Sequence, residues 1–220
     1  FKPLFSEDNR LFTIQLRNNL ISTVDSAAFE GSTKLTFLNL RENNLTRVPN
    51  VKGLQLNALE LGNNSLTLTP GDFAGVCING NLNLDINFIS DISPLIELDR
   101  CNMSRLILDN NKQLEFISSN DLLSLVEKTP RLNELSLRNC NLSSFPNVQN
   151  AMAPITVQLS RTPLTCDCRL HWVKDEGVPT SLNIMNLQCS SPDHLAGKLL
   201  PDVMLGDLCP GWGTIELRSQ

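Results

Sequence analysis

Cysteines are the residues with the most chemistry in this chain of 220 residues, at positions 77, 101, 140, 166, 168, 189 and 209. A thiol can serve as a nucleophile, hold a metal or be consumed in a disulfide. Nucleophilic use needs a base, and the sequence offers only His171 and His194, neither with a Ser or Cys partner assignable by spacing. A zinc site would draw on Cys166, Cys168 and His171, but C-x-C is a poor tetrahedral bite compared with C-x2-C. No G-x4-G-K-S/T phosphate loop occurs, and the carboxylates are spread out with no visible pair. The expectation is therefore a protein that is not an enzyme and takes no cofactor or metal. A different chemistry is offered by four Asn-x-Ser/Thr triplets, beginning at Asn44, Asn63, Asn102 and Asn141, which are acceptors for N-linked glycans.

The composition narrows the partners. A net charge of -5 and a pI near 5.1 disfavour nucleic acid and anionic membrane surfaces. Aromatic residues are 5% of the chain and Tyr is absent, so stacking platforms are scarce. No apolar run approaches the roughly 18 residues that would cross a bilayer. The first residue is Phe1 and no charged-then-apolar leader follows, so a secretion signal is expected to have been removed.

The elements that must position these residues repeat. Segments of the form L-x-L-x-x-N-x-L begin at Ile14, Leu38, Leu59, Leu82, Leu106, Leu135 and Val157, with steps of 24, 21, 23, 24, 29 and 22. This is a leucine-rich repeat in seven copies, a period at which each unit buries its apolar face only against its neighbours. Each Leu-x-Leu predicts a short strand, and stacked copies predict a parallel sheet lining an α/β solenoid that curves as a right-handed arc. The Asn that follows can donate to and accept from backbone groups that stacking would otherwise bury unpaired. Phe29 and Phe73 each lie nine residues before an origin and are expected to form an aromatic spine in the convex half. Val48-Pro49 and Phe145-Pro146 should end short extended stretches. The longest step contains Asn120 to Lys128, the best helix candidate, with Asn120 or Asp121 as N-cap.

Repeat register also pairs two cysteines. Cys77 and Cys101 each precede an origin by five residues, so they occupy equivalent positions on adjacent coils. Coils stack about 5 Å apart, within the range a disulfide spans. Cys140 replaces the Asn of the sixth repeat and is expected to be an inert, buried free thiol.

After the seventh strand the chain reads Pro163-Leu164-Thr165-Cys166-Asp167-Cys168-Arg169-Leu170-His171-Trp172, with Cys189 and Cys209 farther on. From Pro163 to Cys209 this resembles the cysteine-rich C-terminal cap of extracellular leucine-rich repeat proteins of the Slit, Toll-type and neuronal adhesion kinds. The resemblance implies Cys166–Cys189 and Cys168–Cys209 bridges. A helix from about Leu170 to Asp175 would then turn Trp172 onto the last coil and cover its apolar end. The organisation expected is repeats over 1–162, cap over 163–210 and tail over 211–220, with Trp212 in the tail. The resemblance and the disulfides together favour an extracellular location, secreted or as the ectodomain of a membrane-anchored protein. Members usually begin with a cysteine-bearing N-terminal cap, and no cysteine precedes Cys77. The chain is thus expected to be part of a longer ectodomain or, alternatively, to have its first coil covered by a partner, since Phe1, Leu4, Phe5 and Leu11 would otherwise leave an apolar edge exposed.

Strand alternation turns the residues flanking the buried leucines outward, onto the concave face. There the candidates for ligand binding are Arg17, Phe37, Asn39, Arg41, Glu60, Asn83, Asp85, Arg105 and Asp109. The first two repeats read as basic, with Arg17 and Arg41 in one column and Phe37 as an exposed aromatic anchor. The expected function is recognition of a protein ligand through this face, in adhesion, guidance or pattern recognition. The alternative is a structural subunit that meets its neighbours through the first coil and the lateral surfaces.

Overall fold

The computed structural model describes residues 10–147, 155–174, 182–183 and 187–211. Seven strands stand in chain order: β1 (Thr13–Gln15), β2 (Phe37–Asn39), β3 (Gln55–Glu60), β4 (Cys77–Asn83), β5 (Arg105–Ile107), β6 (Glu134–Ser136) and β7 (Thr156–Gln158). Each pairs in parallel with the next, and the register runs from origin to origin, Ile14 beside Leu38, Leu59, Leu82, Leu106, Leu135 and Val157. The fold is the leucine-rich repeat solenoid that the period demands. Three further strands follow, β8 (Leu164–Thr165), β9 (Leu182–Asn183) and β10 (Cys189–Ser191). β8 pairs with β10, whereas β9 joins β7 as an eighth strand of the main sheet. The cap segment therefore continues the sheet as well as closing the core.

Each coil is built by the same sequence logic. The two leucines of Leu-x-Leu point inward and are fully buried, as Leu38 with Leu40, Leu59 with Leu61 and Leu82 with Leu84. Burying one such side chain contributes about 2 kcal/mol. The chain then turns sharply through a residue of positive φ at the same place in all seven repeats: Asn18, Glu42, Asn63, Ile86, Asn110, Asn139 and Arg161. Directly after it comes the ladder residue. The Asn64 amide donates to the carbonyls of Leu61 and Gly62 in its own coil and of Leu40 in the preceding one, while its oxygen accepts the N–H of Leu45. Asn43, Asn87 and Asn111 repeat this arrangement, each binding the coil before it. One amide thus satisfies up to four buried backbone groups.

Local readings need small corrections. The helix, α1 (Ser119–Lys128), is capped by Ser118 rather than by Asn120 or Asp121. The Ser118 hydroxyl accepts the Asp121 N–H at 3.0 Å and donates to the Asp121 carboxylate at 2.6 Å. Phe29 and Phe73 are both buried, but they belong to the first and third coils. The coil between supplies Val51 and Leu54 to the core, so the aromatics alternate with aliphatic residues. β4 carries one residue more than β3 at a bulge near Gly80, where a Cβ would meet the Asn57 carbonyl oxygen at 2.3 Å.

At the far end, the expected short helix is a 3-10 helix that starts earlier, Cys168–Lys174, and Asp175 lies outside the described residues. Trp172 is buried, and it shares a small apolar gap with Phe145, Leu159, Leu164, Leu187 and Leu200. The ammonium of Lys174 donates to the carbonyls of Leu200 and Pro201, both at 2.7 Å, and burial lowers its pKa. These bonds tie the helix to the segment before α2 (Leu205–Leu208). Disulfides join Cys77 to Cys101, Cys166 to Cys189 and Cys168 to Cys209, with Cα separations of 5.6, 5.4 and 4.5 Å. With Cys166 and Cys168 so joined, the Cys-x-Cys pair has no thiolate for a metal, and the Nδ1 of His171 lies 2.8 Å from the Cys168 carbonyl oxygen. Cys140 is free and buried. No helix among the described residues is long and apolar enough to cross a membrane. Phe1, Leu4, Phe5 and Trp212 lie outside the described residues; Leu11 is half-buried.

Candidate binding surface

Outward residues of the strands form columns across the sheet, because the register is origin to origin. One column, three residues after each origin, holds Arg17, Arg41, Gly62, Asp85, Asp109, Arg138 and Ser160. Its centre is an ion pair that skips a coil. The Arg41 guanidinium donates to both carboxylate oxygens of Asp85, at 2.7 and 3.1 Å, passing over the third repeat. Gly62 is what allows this. A Cβ there would sit 1.7 Å from the Asp85 Oδ1 and 2.6 Å from the Arg41 Nη1. Glu60 adds a looser contact, its Oε2 3.8 Å from the same Nη1. The Arg41 and Asp85 side chains are only 20% and 16% exposed, so the pair is shielded from solvent better than most surface ion pairs.

The remaining candidate charges are paired as well. Arg17 holds Glu42 at 2.6 Å, and that bond lowers the Glu42 pKa and raises that of Arg17. Arg105 meets Glu134 at 2.8 Å. Asp109 accepts from the Arg138 side chain and backbone and from the Ser136 hydroxyl. Arg17 and Arg41 therefore do not make a bare basic strip, which corrects the reading of the first two repeats: each arginine is matched by a carboxylate that its own coil or a nearby one supplies.

Two candidates are withdrawn into the turns. Asn39 and Asn83 are buried, and their side-chain oxygens accept the N–H groups of Arg41 and Asp85 at 3.0 Å. They set the backbone that carries the ion pair and are not presented to a ligand. Phe37 is half-buried, and the more exposed aromatic at this end is Phe12 at 58%. Phe12, Gly62, Glu42 and the Ile86–Phe88 turn were not picked out from the sequence. The signal for Gly62 was legible, as the only glycine in its column, between an arginine and an aspartate. Of the candidate glycan acceptors, Asn44, Asn63, Asn102 and Asn141 are all exposed. None lies on the concave columns. Asn44, Asn63 and Asn141 share the flank where the chain leaves the sheet, and Asn102 lies just before β5 on the opposite flank.

Known proteins agree with this architecture. A leucine rich repeat family model matches residues 9–66. Tsukushi of Gallus gallus is 29% identical over 137 residues, covering 60% of this chain and 36% of that protein. A chain in the Toll–Spatzle complex, a hub in Drosophila development and innate immunity, aligns with a TM-score of 0.58 over 91% of this chain and 33% of its own length, at 22% identity. That last likeness is one of fold. The chain spans about a third of the length of these proteins.

Proposed function

We propose that this leucine-rich repeat solenoid is a non-enzymatic, extracellular recognition module whose concave sheet binds a protein ligand. The observation that carries the reading is the Arg41–Asp85 pair bridged over Gly62, with its companions Arg17–Glu42, Arg105–Glu134 and Asp109–Arg138. Side chains already fixed by ion pairs lose little freedom when a partner docks, so the face is preorganised. Its charges balance locally, and it favours a partner read by shape and matched polar groups over one drawn by bulk charge. Phe37, at the second rung, supplies the apolar anchor. Three disulfides and a chain related over much of its length to Tsukushi support the extracellular setting. The division into repeats to 162, cap to 210 and tail belongs to the same proposal, as does N-glycosylation at Asn44, Asn63, Asn102 and Asn141.

The test is capture of cell-surface proteins by the immobilised chain. The double variant Phe37→Asp, Arg105→Glu should lose the bound partner at least tenfold, while Glu30→Lys on the convex return should retain it. Equal capture by both variants would overturn the concave reading. The structural-subunit alternative rests on Leu20, 84% exposed on the first coil, together with Phe12. Concentration-dependent light scattering that Leu20→Ser abolishes would favour it.

A further inference from the structure

The flank of the fourth repeat combines two costs in one turn. The seven residues of positive φ are Asn in four repeats and Glu or Arg in two, none branched at Cβ. Ile86, at φ 50°, is the exception, and a β-branched residue in this conformation is a true outlier. Its side chain is also 42% exposed, and Phe88, two residues on, is 49% exposed. Strain and exposed apolar surface at the same place call for a ligand that uses the surface.

The neighbouring coil supplies one. Asn63 opens the triplet Asn63-Asn64-Ser65 and occupies the same turn position one repeat earlier. The two turns are laced together: the Asn63 N–H donates to the Asp85 carbonyl at 2.8 Å, the Asn64 N–H to that of Ile86 at 3.2 Å, and the Phe88 N–H to that of Leu66 at 3.0 Å. Asn63 and Ile86 therefore emerge side by side, about 5 Å apart at the backbone. We propose that an N-linked glycan on Asn63 lays its first N-acetylglucosamine across Ile86 and Phe88. A pyranose ring presents C–H groups on its faces, which match the negative face of a phenyl ring. The sugar covers apolar area while keeping its hydroxyls in water. Asn141 lies two residues farther along its turn than Asn63 does, and the coil after it has Arg161 and Pro163 where Asn63 faces Ile86 and Phe88. The proposal rests on the extracellular reading, because only a chain passing through the secretory route receives this sugar.

The experiment uses the whole chain secreted from mammalian cells, with glycopeptide mass mapping of all four acceptors. One portion is trimmed by an endoglycosidase that leaves a single N-acetylglucosamine, and a second is stripped by peptide-N-glycosidase. The trimmed protein should keep its melting temperature and its low anilinonaphthalene sulfonate fluorescence. Stripping should lower the melting temperature by about 2–4 °C and raise the dye signal. In Phe88→Gln, stripping should change neither, whereas in Asn141→Gln the difference should persist. An unmodified Asn63 beside occupied Asn44 or Asn141, or an equal drop in Phe88→Gln, overturns the proposal alone. A chain with none of the four modified and its cysteines reduced overturns the extracellular reading, and this proposal with it.

Discussion

The second to fifth repeats and the sixth and seventh solve one problem with different residues. In the former, Asn43, Asn64, Asn87 and Asn111 each bind two coils through a single amide. In the latter, Cys140 donates one thiol hydrogen bond across to the Leu108 carbonyl, and the Thr162 hydroxyl donates to Leu159 in its own coil. At the ladder position, the side-chain connection between coils thins toward the C-terminus. Two of the three disulfides, Cys166–Cys189 and Cys168–Cys209, follow directly and β9 adds a last strand to the sheet, while the third, Cys77–Cys101, staples coils that also carry the ladder. Coil-to-coil cohesion in this solenoid is carried by amides and one disulfide in the middle, and by two disulfides and a capping core at the end.

That contrast can be broken most sharply at the ladder. Asn64→Ala leaves the Leu45 N–H buried without its partner, at about 1–3 kcal/mol, and takes one of two donors from the Leu40 and Leu61 carbonyls, which keep Asn43 and Asn87. A loss of about 3 kcal/mol is expected in urea unfolding. Thr162→Val, which removes one hydroxyl bond within a coil, should cost about 1 kcal/mol in the same measurement. Equal losses at the two sites would erase the distinction.

The next effect belongs to the coil-skipping ion pair. Gly62→Ala drives a Cβ into Asp85 and opens the bidentate bond, at about 1–2 kcal/mol once solvent screening of a partly exposed pair is allowed for. Combined with Asp85→Asn, it should be clearly less than additive, because both changes remove the same bond. The smallest effect is at Cys140. Burial pushes its thiol up to about 11, so at pH 8 it is both inaccessible and protonated. Ellman's reagent should label it only at the rate of unfolding, and Cys140→Ala should shift stability by less than about 1 kcal/mol.

Much of this was legible in the sequence because a repeat multiplies weak signals. No single Leu-x-Leu specifies a strand, but seven in register specify a sheet. The same register placed Cys77 beside Cys101 without any structural information. The charged face was less legible, for a physical reason. Side chains were assigned an outward direction from strand alternation, and that rule ends where the strand ends. Asn39 and Asn83 sit at the last position of their strands and fold back to accept backbone N–H groups, so alternation misplaces them. Arg41 and Asp85 are separated by two repeats, and no adjacency rule pairs them; only the missing side chain at Gly62 does. Ser118 was passed over as a cap because Asn120 and Asp121 are equally good capping types two and three residues on.

The Arg41–Asp85 bond has a mechanical consequence. A stack whose layers touch only their neighbours can be peeled apart one layer at a time under tension. Here an arm reaches from the second layer to the fourth, so the third is shackled from both sides. Peeling from the N-terminal side must therefore dislodge these three layers as a block, and the Cys77–Cys101 disulfide binds the fifth layer to that block.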